Sequence, residues 1–349
     1  MVYILPPLRY NIHILYRTVT SVDEHKIKRI GVLTSGGDAP GMNAAVRSVV
    51  RAAATLGIEC LGIRRGYNGL ISGDIEKLEA DSVSRIINRG GTVLYTARSD
   101  EFRTERGRKK AADVCRLFGI DGLVAIGGDG TFRGLLDFSE HNIAVVGVPA
   151  TIDNDIACTD YTIGFDTAAN TAIEAVDRLR DTMQSHERCS VVEVMGRNAG
   201  HLALYVGLAT GATAVLVPEK EFDFENDIAE KIRIARINGK THFMIIVAEG
   251  VGSAMKIGEK IRDGLGVDTR VTILGHIQRG GTPSARDRVT ATSMGFHAVN
   301  ILAAGGTNRV VCERAGKTVD VDIAEALSMK KGLDEDKYAA LRAMMGAGE

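Results

Sequence analysis

Residues 127–131, GGDGT, combine an acid with several glycines at a point where an apolar run ends and a helical pattern begins. Glycine leaves backbone N–H groups uncovered, and the first turn of a helix carries partial positive charge that attracts phosphate. A carboxylate such as Asp129 adds a hard oxygen ligand that suits Mg²⁺. The segment is therefore a candidate site for phosphate and magnesium, although a tight strand-to-helix turn without a ligand fits the same residues.

A second acidic segment, VPATIDNDI at residues 148–156, follows the next apolar run. It places Asp153 and Asp155 two residues apart, with Thr151 in front of them. Phosphoryl transfer to a hydroxyl needs a group that orients the acceptor and receives its proton, and a carboxylate in hydrogen-bond reach does both. The structural alternative is a solvated turn in which the aspartates bond to nearby backbone.

A third segment, TSGGDAPGMNAA at residues 34–45, could hold phosphate on the amides of Gly36 and Gly37. It lacks the GxGxxG spacing of dinucleotide-binding folds. The P-loop pattern GxxxxGK[ST] is absent from the whole sequence. The sequence therefore excludes P-loop and hydride-transfer chemistry and keeps other kinds of phosphate site.

Several basic residues could bind a phosphorylated substrate. The planar guanidinium group of arginine binds phosphate oxygens through two parallel hydrogen bonds, so arginine is expected where a terminal phosphate is fixed. Each of these residues could equally be a surface charge, and the histidine among them a packing residue. The candidates are Arg98, Arg103, Arg188, Arg197, Arg270, His276 and Arg279.

Short runs rich in Val and Ile alternate with helical patterns, which is typical of a parallel α/β fold. Helices are predicted at 41–56, closed by Gly57, and at 167–183, with Asp166 as the N-cap. Strands are predicted at 29–34, 59–63, 122–126, 143–148, 190–195, 214–217, 242–248 and 309–312.

Two strand–glycine–helix units, which start at Arg29 and Ser190, are alike in outline and suggest two similar sandwiches that divide near residue 165. No short period runs through the sequence, which excludes solenoids and propellers. Because ligands in open α/β sheets sit beyond the carboxyl ends of the strands, we expect the glycine-rich and acidic loops to meet in a cleft between the halves.

The composition is that of a soluble globular protein of 349 residues, with 45% hydrophobic and 25% charged residues and a formal net charge of −1. This charge gives no long-range field to hold nucleic acid or an anionic membrane. The five cysteines are isolated and fit small buried side chains in a reducing compartment, so a cytoplasmic protein is expected. Residues 1–25 are interpreted as a disordered tail or a misassigned start, with a targeting peptide as a further alternative.

From about Ile30 to about Ile323, five motifs closely resemble, in the same order, those of bacterial 6-phosphofructokinases. The motifs are GGDAPG, GGDGT, PATIDND with TDYTIGF after it, SVVEVMGR and LGHIQRGG. GGDGT alone would not decide this, since NAD kinases and diacylglycerol kinases carry similar turns. The resemblance implies two Rossmann-like three-layer α/β/α domains with mainly parallel sheets and the active site between them. We expect a larger ATP-binding domain at 26–165 plus 277–327 and a smaller fructose-6-phosphate-binding domain at 166–276 plus 328–349.

The resemblance further implies transfer of a phosphoryl group from Mg-ATP to fructose 6-phosphate, the committed step of glycolysis. In the pyrophosphate-dependent branch of the family an Asp follows GGD and a Lys precedes TIDND, whereas this chain has Gly130 and Ala150. A carboxylate at position 130 would crowd and repel the α-phosphate of ATP, so ATP is favoured over pyrophosphate. The ATP site is expected to comprise Gly37, Tyr67, Arg98, Arg103, Gly130, Thr131 and Gly134, with Asp129 on the magnesium ion.

For the acceptor side, the resemblance makes Asp153 the base that takes the proton of the 1-hydroxyl, with Thr151 on the transferring phosphate and Asp155 near the metal. Arg98 and Arg197 would stabilise charge on the transferring group. In the family two further arginines come from a neighbouring subunit and match Arg188 and Arg270, so the resemblance implies an oligomer, and a homotetramer is expected. The sugar is expected on Met195, Gly196, Arg197, Glu249, His276 and Arg279.

The family's site for a nucleotide or phosphoenolpyruvate effector is matched only in part. Four basic residues fit it, but three other positions depart from the pattern and move its charge from positive toward neutral, so a weakened or altered effector response is expected. A non-catalytic regulatory paralogue and a pyrophosphate-dependent enzyme stay open as alternatives. The matching residues are Arg47, Arg51, Arg180 and Lys240, and the departures are Asp74, Thr213 and Asn238.

Overall fold

The computed structural model describes residues 27–346, so the interpretation of residues 1–25 lies outside the described part of the chain. That part contains eleven strands in two sheets. In chain order they are β1 (Arg29–Thr34), β2 (Glu59–Ile63), β3 (Ile75–Leu78), β4 (Gly122–Gly127), β5 (Ala144–Pro149), β6 (Cys189–Val194), β7 (Ala214–Leu216), β8 (Phe243–Ala248), β9 (Thr269–Ile273), β10 (Arg309–Arg314) and β11 (Lys317–Asp322).

The larger sheet has seven strands in the order β11-β10-β5-β4-β1-β2-β3, and the smaller has four in the order β7-β8-β6-β9. All neighbouring pairs are parallel except β2 with β3 and β10 with β11. All eight predicted strands are present within one or two residues, which confirms the parallel α/β prediction. The three strands that sequence reasoning missed, β3, β9 and β11, are short, partly charged edge strands whose pattern carries little apolar signal.

Helices cover both faces of the sheets. The predicted helices at 41–56 and 167–183 are present, but the N-cap prediction for Asp166 is wrong. Gly164 at φ 107° is the N-cap, because only glycine adopts this left-handed turn freely, and Asp166 lies within the first helical turn. The helices are α1 (Met42–Thr55), α2 (Gly66–Ser72), α3 (Glu105–Phe118), α4 (Asp129–Ser139), α5 (Phe165–Ser185), α6 (His201–Thr210), α7 (Glu230–Ile237), α8 (Ala254–Leu265), α9 (Ala285–Ala303), α10 (Ile323–Ser328) and α11 (Glu335–Gly346).

The core is organised by the alternation of side chains along the strands. Val32 of β1 belongs to a continuous apolar cluster that also contains Val192 of β6 and side chains of α1, α5, α6 and α9, so this cluster joins the two sheets. The next residue, Leu33, packs into a separate cluster on the other face of the larger sheet. All five cysteines are buried and unpaired, as predicted. Within residues 27–346, no helix is both long and apolar enough to cross a membrane.

A buried carboxylate fixes the chain between β5 and α5. Asp287 of α9 is fully buried and accepts hydrogen bonds from the Tyr161 hydroxyl at 2.5 Å, the Gly164 amide at 2.6 Å and the Thr167 amide at 2.9 Å. Burial raises the pKa of Asp287, while these donors lower it. The bonds attach α9 to the segment that carries the acidic residues after β5.

Candidate active site

The predicted site residues lie beyond the carboxyl ends of parallel strands in both sheets. GGDGT spans the end of β4 and the start of α4. The glycine-rich stretch within residues 34–45, called the first glycine-rich loop below, connects β1 with α1. The acidic segment follows β5, and MGR follows β6. These are the strand ends beyond which ligands bind in open α/β sheets. Asp129 beside the larger sheet and Arg197 beside the smaller sheet are close enough for the charge of Arg197 to act on the pKa of Asp129.

Gly127 holds the two glycine-rich loops together. A Cβ atom at this position would lie 2.4 Å from the Ser35 carbonyl oxygen and 2.4 Å from the Thr131 Oγ1, so only glycine allows the approach. Cβ atoms at Gly128 and Gly130 would instead face open space. The first turn of α4 is thus uncovered at these two positions, which leaves room for phosphate at the helix N-terminus.

Three predicted ATP-binding residues pack together behind this turn. The Tyr67 hydroxyl donates to the Thr131 carbonyl at 2.6 Å, and the Tyr67 ring stacks on Phe102 with centroids 3.9 Å apart. A Cβ at Gly134 would lie 2.9 Å from the Tyr67 ring. Because Tyr67 is only 5% exposed, it supports α4 from beneath in this structure.

Arg98 and Arg103 lie on the exposed segment that precedes α3. The Thr96 hydroxyl, just before them, donates to the Gly36 carbonyl at 2.7 Å and so ties this segment to the first glycine-rich loop. The side chain of Arg103 is 79% exposed. The segment that carries both arginines therefore begins next to the loop predicted to hold phosphate, and both side chains are accessible to solvent.

Asp153 is the most unusual acid in the cleft. It is 6% exposed, and its Oδ1 is buried without a hydrogen-bond partner among the described residues. Burial and then the charge of Asp155 raise its pKa, whereas Arg279 and a hydrogen bond from Thr151 lower it. A buried polar atom with no partner is rare in proteins, and it suits a carboxylate whose partner is a substrate hydroxyl.

Asp129 and Asp155 form the candidate magnesium site. Burial and the neighbouring charge of Asp155 raise the pKa of Asp129, so the two carboxylates repel each other in the absence of a cation. No group of three or more His, Cys, Asp or Glu side chains within the described residues could hold a metal ion alone. Two carboxylates nevertheless fit Mg²⁺, because this ion commonly takes one or two protein carboxylates together with substrate phosphates.

The loop after β6, residues 195–200, carries the predicted sugar contacts in a constrained backbone. Gly196 has φ 141° and Arg197 has φ 59°, a left-handed conformation that costs a non-glycine residue free energy. The Arg197 amide donates to Glu249 Oε1 at 2.5 Å. The Met195 amide donates to Gln278 Oε1 at 3.3 Å. Three segments predicted to contact the sugar are thereby brought together.

Gln278 was missed by the sequence reasoning, which selected its neighbours in HIQRGG. It is fully buried, and its Nε2 donates to the Gly275 carbonyl at 3.0 Å while its Oε1 accepts from Met195. The sequence does not distinguish this glutamine from its neighbours His276 and Arg279, because its role as a link between loops depends on its burial in the folded protein.

Arg279, predicted to contact the sugar, also makes contacts with the first glycine-rich loop. Its Nη1 donates to the Asp38 carbonyl at 2.9 Å, and a Cβ at Gly37 would lie 2.5 Å from the same nitrogen. Its charge also lowers the pKa of Asp153. Arg279 therefore lies between the first glycine-rich loop and the acidic segment, while His276 in the same turn is exposed.

Arg188 and Arg270 lie at the opposite end of the smaller sheet. Arg188 directly precedes the six residues of β6, and three further residues of β9 follow Arg270. At about 3.3 Å per residue, roughly 20 Å and 10 Å of strand separate them from the cleft end. Both donate to the Asp268 carboxylate: Arg188 through its Nε at 2.6 Å, and Arg270 through its Nη1 at 2.6 Å. These hydrogen bonds and charges lower the pKa of Asp268. The structure does not bring the two arginines to the cleft of their own chain.

The predicted effector residues fall into two separate grooves. Arg47 and Arg51 line one of about 450 Å³ between α1 and α9, next to Phe296, which is 54% exposed. Arg180 and Lys240 line another of about 370 Å³ on the smaller-sheet side. One chain therefore does not assemble the four residues into a single site.

Comparisons with known proteins agree on one family. The phosphofructokinase family model matches residues 29–302. A protein named ATP-dependent 6-phosphofructokinase from Clostridium botulinum is 53% identical over 312 residues, which are 89% of this chain and 98% of that protein. Its namesake from Clostridium novyi is 54% identical over 312 residues, with the same coverage.

Solved structures give the same result. The structure of phosphofructokinase from Saccharomyces cerevisiae matches with a TM-score of 0.81 and 34% identity, over 91% of this chain and 46% of the yeast chain. This chain thus spans about half the length of the yeast chain. A pyrophosphate-dependent phosphofructokinase from Marinobacter aquaeolei matches with a TM-score of 0.76 and 21% identity over 93% of each chain, which shows the shared fold alone.

Proposed function

This chain belongs to the phosphofructokinase family, and from that premise we propose that it is an ATP-dependent 6-phosphofructokinase. It transfers a phosphoryl group from ATP to the 1-hydroxyl of fructose 6-phosphate and yields fructose 1,6-bisphosphate and ADP. The observation that carries the proposal is Asp153, a buried carboxylate with an unpartnered oxygen and a raised pKa. Asp155, two residues further along the same loop, is close enough to Asp129 at the start of α4 to raise its pKa.

Asp153 is the general base of this proposal. The Thr151 hydroxyl accepts a hydrogen bond from the Asp153 amide at 3.2 Å, and Thr151 and the charge of Arg279 lower the pKa of Asp153 against the larger effect of burial. The free Oδ1 is then available to accept the proton of the sugar 1-hydroxyl. The exposed guanidinium groups of Arg98 and Arg197 stabilise negative charge on the transferring phosphoryl group.

Mg²⁺ is the proposed metal, with Asp129 and Asp155 as its protein ligands. When bound with ATP, it neutralises charge on the phosphate oxygens. The raised pKa of Asp129 supports this role, since a carboxylate disfavoured by its surroundings gains most from a cation.

ATP is proposed over pyrophosphate because of Gly130. A side chain at this position would project into the open space beyond the first turn of α4. A carboxylate there would therefore occupy the space proposed for a nucleotide phosphate and would repel it. Ala150, one residue after β5, is buried and likewise brings no positive charge for a pyrophosphate donor.

We propose the domain division expected from the sequence, with 26–165 plus 277–327 around the larger sheet and 166–276 plus 328–349 around the smaller. Arg188 and Arg270 are proposed to complete the fructose-6-phosphate site of a neighbouring subunit, which requires an oligomer, and the proposed oligomer is a homotetramer. Their distance from the cleft of their own chain supports this. The cytoplasm is the proposed location.

A weakened effector response is also proposed. Thr213 and Asn238 line the same groove as Arg180 and Lys240, so two of the three departures from the family pattern lie where an anionic effector would bind. Titration of ADP and phosphoenolpyruvate against the fructose 6-phosphate saturation curve tests this. A strong sigmoidal response to either compound would refute it.

The function is tested with the purified protein and fructose 6-phosphate, by offering ATP with Mg²⁺ and then pyrophosphate with Mg²⁺ as the phosphoryl donor. Formation of fructose 1,6-bisphosphate is followed with coupling enzymes. Turnover with ATP and little or none with pyrophosphate is expected. Preference for pyrophosphate would favour the pyrophosphate-dependent alternative, and no turnover with either donor would favour a non-catalytic regulatory protein.

A further inference from the structure

The segment 329–334 crosses from one half of the molecule to the other. α10, before it, packs on α4 and on β10 and β11 of the larger sheet. α11, after it, packs on α6 and α7 beside the smaller sheet, and Glu335 at its start accepts from Lys220 Nζ at 2.8 Å. The crossover is therefore anchored at both ends.

Lys331, in the middle of the crossover, bonds to the backbone of the catalytic loop, which we define as residues 150–160. Its Nζ donates to the Thr159 carbonyl at 2.9 Å and to the Ile156 carbonyl at 3.4 Å. Lys331 is half-buried, and burial lowers its pKa to about 8 although the charges of Asp155 and Asp160 act in the opposite direction. A desolvated ammonium group fixed on two carbonyl oxygens is a specific contact, unlike the loose ion pairs of a surface lysine.

Lys331 is also close to the end of the loop that carries the sugar contacts, because its charge acts on His201. His201 directly follows residues 195–200 and begins α6. It is buried, and burial followed by the charge of Lys331 lowers its pKa to about 4, so its ring is neutral at pH 7. Lys331 thus lies where both substrate-binding loops approach the crossover.

We propose that Lys331 is a positioning residue for phosphoryl transfer: it holds the catalytic loop through the carbonyls of Ile156 and Thr159, and so fixes Asp153 and Asp155. Without it, two partly buried carbonyl oxygens lose their donor, and the loop between β5 and residue 160 loses its tie to the crossover. Base and acceptor must be aligned to within about 1 Å, and such a misplacement can cost about a hundredfold in rate. This inference rests on the proposed function.

The test compares Lys331→Met and Lys331→Arg with Lys330→Met, a matched control because Lys330 is the exposed neighbour in the same segment. Lys331→Met is expected to lower kcat by about 10- to 100-fold, with the KM values for ATP and fructose 6-phosphate within about twofold of the parent. Lys331→Arg, which keeps the charge and several donors, should recover most of kcat. Lys330→Met should match the parent protein.

Melting temperatures of all variants separate loss of positioning from loss of fold, and Lys331→Gln replaces Lys331→Met if the latter does not fold. An unchanged kcat in Lys331→Met would overturn the proposal. So would a loss of kcat that Lys331→Arg does not recover, or one that follows the fraction of unfolded protein. The parent and Lys330→Met report on the proposed function itself: if neither turns over with ATP, that function fails independently of Lys331.

Discussion

The substitution Gly130→Asp tests the reason for which this cleft is expected to accept ATP. Gly130 is the second residue of α4, a Cβ there meets no atom within 4 Å, and its φ lies outside the left-handed region. An aspartate therefore fits without strain. It also suits the first turn of a helix, where negative charge is favoured. The melting temperature should stay the same or rise.

Gly130→Asp should strongly lower kcat/KM for ATP, because the new charge projects into the open space proposed as the donor site. Two unit charges about 4 Å apart interact by about 4 kcal/mol at an effective dielectric constant of about 20. This corresponds to about a thousandfold at 1.36 kcal/mol per decade. Since solvent and the metal ion screen part of the repulsion, we expect kcat/KM for ATP to fall by about 100- to 1,000-fold.

Gly130→Asn is the matched control, because asparagine has the size of aspartate without its charge. It should lose no more than about tenfold in kcat/KM for ATP, so that the difference between the two variants measures repulsion alone. Initial rates at varied ATP and saturating fructose 6-phosphate give both values. If Gly130→Asp retains the parent's kcat/KM for ATP, position 130 does not face the donor phosphates and the argument for ATP fails.

Three further predictions concern the assembly and its stability. Oligomers assembled from equal amounts of Asp153→Asn and Arg270→Ser subunits, each nearly inactive alone, should recover about a quarter of parental activity. Half of the subunit pairs are then mixed, and one of the two sites in each mixed pair is intact. No recovery would exclude a shared site. Tyr95→Gly should raise the melting temperature by about 2 °C, since Tyr95 at φ 56° is 57% exposed and strained by about 1 kcal/mol; a lower melting temperature would contradict this. Asp287→Ala should lower the melting temperature by several degrees, because it leaves the buried donors of Tyr161, Gly164 and Thr167 without an acceptor; an unchanged value would show that these bonds contribute little.

The sequence predicted the parallel strands and the clustering of the glycine-rich and acidic segments, because both follow from local pattern and from the position of strand ends. Apolar runs such as β4 and β8 are buried on both faces and stand out from their surroundings. Asp129, Asp153 and Asp155 follow such runs directly, so their convergence could be predicted from the chain alone.

Contacts between segments distant in the sequence could not be predicted in the same way. Gln278, Asp287 and Lys331 show no motif of their own, and their roles depend on burial and on partners more than 80 residues away. The resemblance to a family drew attention to residues of the motifs. Asp287 and Lys331 lie outside the motifs, and Gln278 lies inside one without being selected, yet all three hold the motifs in place. Tyr67 is a related case, because its position beneath α4 depends on stacking with Phe102.

The most direct test of the account is the turnover of Asp153→Asn with ATP and fructose 6-phosphate. Loss of the proton acceptor should lower kcat by about 10²- to 10⁴-fold while ATP binding persists. The pKa of Asp153 is raised in the folded protein, so its ionised form opposes folding at neutral pH and the neutral amide should leave the melting temperature unchanged or higher. A folded variant with near-parental turnover would contradict the assignment of Asp153 as the general base.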